Sequence, residues 1–167
     1  PRGIDRSAGL CSEWQGWECA TRNAQPAAEV WMQTYFMDET EVTFAAYKAC
    51  EASGKCERAG PNYGDFSRPT QPITGVNWFH ARAYCAAQGK HLPTEAEWEK
   101  AARSSKGDLY PWGPERTDCD RAVIQDQRGR SCGVPKATHP EKGRPLVAKS
   151  RPAGAYGLYD MIGNAQE

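Results

Sequence analysis

Apolar positions recur with two different periods along this chain. In "VWMQTYFMDETEVT", residues 30–43, Val30, Met32, Tyr35 and Met37 recur at alternate positions, with one slip of phase, and predict a strand. The period then changes. Thr43 is placed to cap a helix through its hydroxyl, Phe44, Tyr47 and Cys50 or Glu51 recur at helical spacing, and Gly54 supplies a left-handed stop, so the helix is about 10 residues long. A second helix starts at the cap Asn77 and runs through "WFHARAYCAAQ" to Gly89, with Trp78, Ala81, Tyr84 or Cys85, and Gln88 along one stripe. That stripe sets Cys85 against packed neighbours.

A third helix has the most over-determined start. Thr94 is the cap, Glu97 three residues later is its capping-box partner, and Pro93 blocks an earlier start. Trp98, Ala101 and Ala102 form its narrow apolar stripe, while Glu95, Glu99 and Arg103 sit at four-residue spacing on the wet face. Between these periodic pieces the pattern fails. Residues 57–72, "ERAGPNYGDFSRPTQP", form a long loop by composition. Residues 106–152 predict turns, one short strand near 122–124 and a disulfide-closed loop, and residues 1–30 read as an irregular arm.

Composition narrows the class. At 167 residues one domain is the expectation. Sixteen Gly and 12 Pro fit a loop-rich chain, whereas six Trp and seven Tyr need a core and argue against disorder. Lys plus Arg equals Asp plus Glu at 21 each, so no global field attracts nucleic acid or an acidic membrane. No apolar run reaches the roughly 18 residues of a spanning helix, and "PRGIDRSAGL" lacks the form of a signal peptide. Seven cysteines include three pairs close in sequence, Cys11 with Cys19, Cys50 with Cys56 and Cys119 with Cys132, which predicts local disulfides and an extracytoplasmic location, whether secreted, periplasmic or surface. No C-x-x-C occurs, against a zinc module. Cys85 is left over, as a buried free thiol or as the partner of a cysteine outside this chain.

Few side chains offer reaction chemistry. Glu95, Glu97 and Glu99 are acidic neighbours, but Glu97 points away from the other two on a helix and is needed as a cap. His80, His91 and His139 lack the two-His helical spacing of a metal site. Phosphate loops, a G-x-S-x-G elbow and basic–aromatic alternation are absent from the sequence. Copper(I) favours thiolates, yet the local cysteine pairs read as structural. The chain contains no self-sufficient catalytic constellation.

Three pieces in this order, "ETEVTFAAY", then "PITGVNWFHARAYCAAQGKHLPTEAEWEKAAR" with "YPWG", and "GLYDMIGNAQE", resemble the sulfatase-modifying-factor family, to which formylglycine-generating enzymes belong, over roughly residues 36–167. The resemblance implies an α+β fold: a single mixed domain of formylglycine-generating-enzyme type, C-type-lectin-like, with low regular secondary structure. It divides the chain into an arm at 1–30 and, at 31–167, the leading part of that domain with its C-terminal segment missing. It implies structural calcium held by Asp160 and Glu167 through carboxylates and by Gly163 and Ala165 through backbone carbonyls, a ligand set of hard oxygens that suits the ion. A second family calcium site has Asn where this chain has Val123.

The family's G-N-x-W-E-W ending reads here with Gln166 for the Trp, and its later segment carries two redox cysteines that bind copper. By the same resemblance Cys85 pairs with a cysteine of that segment. Two functions follow: oxidation of a cysteine in an exported sulfatase with copper and dioxygen, or a non-catalytic calcium-stabilised sensor, lectin-like or protein-binding module. For the module, Trp14, Trp17, Tyr63 and the 57–72 loop are the contact candidates. The partner is a protein or peptide in either case, with no nucleic acid and no membrane span.

Overall fold

The computed structural model describes residues 29–104, 106–135 and 143–165. The chain divides into two compact units, Pro1–Thr34 and Tyr35–Glu167. The expected pair Cys11 and Cys19, the contact candidates Trp14 and Trp17, and His139, Gln166 and Glu167 lie outside the described residues.

All three expected helices form in the second unit, each where its capping residue starts it. Helix α1 spans Phe44–Ala52, and the Thr43 hydroxyl accepts the Ala46 N–H at 3.3 Å. Gly54 follows at φ 73°, the left-handed stop. Helix α2 spans Trp78–Ala87 behind Asn77, whose side chain accepts the His80 N–H at 2.9 Å while His80 Nδ1 accepts the Asn77 N–H at 3.3 Å. A histidine thus closes this capping box. Helix α3 spans Glu95–Ala101, and here the box is closed as expected: Thr94 Oγ1 accepts from Glu97 N and Glu97 Oε2 accepts from Thr94 N. A short 3₁₀ turn occupies Gly64–Phe66, and Arg130–Gly133 is a kinked turn in which Ser131 and Cys132 have left-handed φ of 49° and 57°.

No β-ladder forms among the described residues. The strand expected at 30–37 is absent, although its alternation survives from Tyr35 onward: Tyr35 and Met37 are half-buried and Phe36 is 97% exposed. The reason is the partner. Tyr35 donates its hydroxyl to Glu97 O at 2.9 Å and Met37 packs with Ala101 and Ala102, so Tyr35 and Met37 lie against α3 and not beside another strand. The strand expected near 122–124 reduces to one parallel bridge, Val123 with Gly163.

Among the described residues the core includes two small clusters, with Cys119, Ala122 and Val123 buried apart from them. Tyr47, Cys50 and Cys56 form one, joined by Val42, Ile73, Val76, Tyr84 and Ala87. The Tyr47 and Tyr84 rings stack at 5.7 Å. Ala101, Ala102 and Met161 form the other, with Met37, Trp98 and Leu158. The apolar stripe read for α3 is therefore correct. The stripe read for α2 holds only in its middle: Tyr84 packs inward and Ala81 and Cys85 are half-buried, but Trp78 is 58% exposed and Gln88 is exposed, and Ala87 packs with Tyr84 instead.

Clusters this small need support. The disulfides Cys50–Cys56 and Cys119–Cys132 provide it, as the spacing predicted. Closing 13 residues limits the unfolded chain by about 3 kcal/mol in the loop-entropy account. Gln71, with no exposed surface, ties distant loops together: its Nε2 donates to Pro145 O at 2.6 Å and its Oε1 accepts Arg68 N–H at 3.0 Å.

Candidate metal-binding turn

Residues 160–165 form a tight turn that only unusual backbone angles permit. Asp160, Gly163 and Asn164 have φ of 56°, 87° and 62°. Gly163 is required twice, by its positive φ and because a Cβ there would lie 2.4 Å from Val123 O.

Three separate segments hold this turn. Asn164 N–H donates to Val123 O at 2.9 Å, beside the bridge to Gly163. Asn164 Oδ1 accepts Leu146 N–H at 2.8 Å. From 124 residues upstream, Glu41 Oε1 accepts Ala165 N–H at 2.9 Å, and its Oε2 accepts Asn164 Nδ2 at 2.9 Å. Periodicity did not single out Glu41, and its only signal was an acidic residue inside "ETEVT".

Asp160 is 8% exposed. Its Oδ2 accepts Lys149 N–H at 2.8 Å, while Oδ1 is buried without a hydrogen-bond partner. Burial pushes its carboxyl above the ordinary range, against the opposing pull of the Lys149 N–H and the Arg151 charge. Ser150 Oγ and Arg151 Nε, on the adjoining segment, are likewise buried without partners.

Of the four expected calcium ligands, the structure brings Asp160, Gly163 and Ala165 into this one turn, and Glu167 is outside the described residues. No group of three or more His, Cys, Asp or Glu residues gathers into a metal site among the described residues. An uncommitted buried carboxylate oxygen beside a backbone-rich turn nevertheless has the chemistry that calcium requires, hard oxygen from carboxylate and carbonyl. The described residues of the turn fit calcium in that respect. At the second family position the Val123 side chain brings no oxygen, and its carbonyl is spent on Asn164 N–H.

The other sequence candidates disperse. Glu97 caps α3, and the Thr94 N–H and hydroxyl hold its carboxyl below the ordinary range. Glu99 lies 3.5 Å from Arg103 on the wet face. His80 caps α2 and lies 3.7 Å from Glu57, whereas His91 contacts Leu92 O at 2.8 Å. Cys85 is the one free cysteine among the described residues and is half-buried. Burial raises its thiol pKa, Asp38 adds to this, and Lys90 opposes it. The described residues therefore do not fit copper: four of their cysteines are bridged, and a single unactivated thiol remains.

A family model of the Sulfatase-modifying factor enzyme 1-like domain matches residues 8–167. The chain belongs to this family. The match begins well before residue 36, so the domain reaches further toward the N terminus than the motifs alone indicated. Among relatives of this sulfatase-modifying-factor domain, the "Inactive C-alpha-formylglycine-generating enzyme 2" of Bos taurus is 42% identical over 114 residues, 65% of this chain and 36% of its own length. The "Formylglycine-generating enzyme" of Thermomonospora curvata is 38% identical over 117 residues, again 65% of this chain and 36% of its own length. The chain thus spans about a third of the length of these curated relatives. The structure of PvdO from Pseudomonas aeruginosa superimposes with a TM-score of 0.52 at 23% identity, covering 74% of this chain and 51% of that one, which is a likeness of fold. No helix among the described residues is long and apolar enough to cross a membrane.

Proposed function

We propose that this region is the calcium-stabilised scaffold of an extracytoplasmic protein of formylglycine-generating-enzyme type. In the complete polypeptide, a cysteine pair supplied by chain beyond residue 167 would bind copper and use dioxygen to oxidise a cysteine of an exported sulfatase. The observation that carries this reading is the family match over residues 8–167, set against a single free thiol among the described residues. The family relation supports the reaction class, while the lone, burial-raised Cys85 thiol keeps the redox step out of the described residues. Cys85 instead suits a covalent tie to the rest of the domain. The disulfides support an oxidising compartment.

Calcium, held by Asp160, Gly163, Ala165 and Glu167, would supply a charge that satisfies the buried Asp160 oxygen and cross-links the turn. Glu41, Val123 and Leu146 hold that turn from three directions independently of any ion.

The second reading is a binding module of the same fold without catalysis. It is favoured by the bovine relative named as inactive and by Gln166 at the family's Trp position. One experiment separates the two. The complete natural protein, loaded with copper, is incubated in air with a cysteine peptide of sulfatase type, and mass spectrometry follows conversion of the thiol to an aldehyde. A non-reducing peptide map of the same sample locates the partner of Cys85. Conversion that stops on thiol alkylation supports the oxidase; no conversion with every cysteine bridged or remote leaves the binding module.

A further inference from the structure

A second feature involves none of the residues of the 160–165 turn. A cleft of about 560 Å³ opens between the start of α1 and the loop that follows the Cys50–Cys56 disulfide. This volume is within the range of sites for small molecules, roughly 300–1,000 Å³. Its lining includes the cations Lys48 and Arg58, the polar Asn62 and Ser67, and the rings of Phe44 and Tyr63, and no carboxylate lines it.

The walls are built in advance of any ligand. Lys48 Nζ donates to Glu51 at 2.7 Å and to Ala59 O at 2.6 Å, and it sits 5.4 Å over the Phe44 ring. Glu51 Oε1 also accepts Ala59 N–H at 2.9 Å, so both polar backbone atoms of Ala59 are fastened to α1. Gly60 and Gly75 cross so closely that a Cβ on Gly75 would lie 2.3 Å from Gly60 O. On the other side, Tyr63 pairs with Phe66 at 5.2 Å while remaining 51% exposed. Arg58 and Asn62 are exposed on the rim. A preformed wall removes much of the ordering cost of binding.

We infer that this cleft binds an acidic sugar unit, a pyranose carrying a carboxylate or sulfate. Arg58 supplies a planar donor for the acid group, while Lys48 is paired with Glu51 and serves mainly to hold the wall, so Arg58 is the principal charge offered to a ligand. Asn62 offers both a donor and an acceptor to hydroxyls. Tyr63, 51% exposed, brings an aromatic side chain to the cleft, the residue type that packs on the apolar face of a sugar. An extended acidic peptide fits less well, because no strand edge borders the cleft among the described residues to pair with its backbone. Two lining cations are also too few to hold a nucleic-acid backbone.

The test uses the full chain, isotopically labelled, titrated with trigalacturonate, a sulfated chondroitin disaccharide, neutral cellotriose and a hexaglutamate peptide. The expected result is saturable binding of one or both acidic sugars, with amide shifts confined to residues 44–48 and 58–67. The two sugars identify the acid group. Binding weakens by about 10-fold in Arg58→Ala and several-fold in Tyr63→Ala, and is unchanged in the Arg82→Ala control. Shift mapping in the unmodified protein keeps the test decisive if a variant folds poorly. Equal binding of cellotriose, shifts outside the cleft, or no binding by either acidic sugar would overturn the proposal. Hexaglutamate binding as tightly at the same amides would assign the cleft to acidic peptides and overturn it as well.

Discussion

Replacing Glu41 by Ala removes the acceptors of two hydrogen bonds that reach across 123 and 124 residues to the turn at 160–165. Each is a bond to a carboxylate, and such bonds contribute about 1.5–3 kcal/mol net when well formed. Both are half-buried, so the low end applies, and the predicted loss is about 3 kcal/mol for the pair. For a chain of this size that lowers the unfolding midpoint by about 6–12 °C. Glu41→Gln provides the finer comparison. Its amide oxygen still accepts Ala165 N–H, but its NH₂ then faces the Asn164 NH₂. Asn164 cannot flip to suit, because its Oδ1 already accepts Leu146 N–H. The predicted loss for Gln is therefore about half that for Ala. Urea unfolding of wild type, Glu41→Ala, Glu41→Gln, Asn164→Ala and the double variant Glu41→Ala/Asn164→Ala gives the coupling directly. If Glu41→Ala lies within about 0.5 kcal/mol of wild type, or Gln is as costly as Ala, the reasoning about this clamp is wrong.

Other consequences can be tested on the same protein. Gln71→Leu, which leaves Pro145 O and Arg68 N–H without their buried partner, is expected to destabilise by about 2–4 kcal/mol in urea unfolding; a loss below 1 kcal/mol would show that water replaces Gln71. For Glu51, burial raises the carboxyl pKa, but the Ala59 N–H and the Lys48 hydrogen bond and charge outweigh it, and the folded value lies below the ordinary one. Its contribution is thus complete above the ordinary glutamate range, near pH 4–5, and is lost as pH falls below it. The stability profile of Glu51→Gln should be flatter than wild type in that acid window, and parallel profiles would refute the assignment. Asp160→Asn is expected to abolish any rise in unfolding temperature on adding calcium, with little loss in chelator because the buried charge is gone; a calcium-induced rise equal to that of wild type would exclude Asp160 as a ligand.

The helix starts were legible because their causes are local. Thr43, Asn77 and Thr94 each bond to an amide three residues on, so a short sequence window contains the whole interaction. The inward face of α2 was partly misread because Trp78 is the largest apolar residue in it, yet it lies on the exposed face and contacts Phe79 and Arg82. Tyr35 and Met37 gave the right alternation and the wrong element, since period two reports which side chains are covered and not whether a strand lies alongside. The turn at 160–165 was located by family resemblance. Its clamp by Glu41 was hidden, because nothing local in "ETEVT" points to a backbone amide 124 residues away. The cleft beside α1 was likewise anticipated only as a long loop, since its walls depend on the Glu51, Lys48 and Ala59 contacts.

Calcium held at the turn around Asp160, stabilising the fold, is the central proposal. Isothermal titration of calcium into the metal-stripped full chain, paired with thermal unfolding of the same sample, tests this directly. Saturable binding with a rise in unfolding temperature, both lost in Asp160→Asn, is the predicted result. No binding heat and identical unfolding in calcium and in chelator would contradict it.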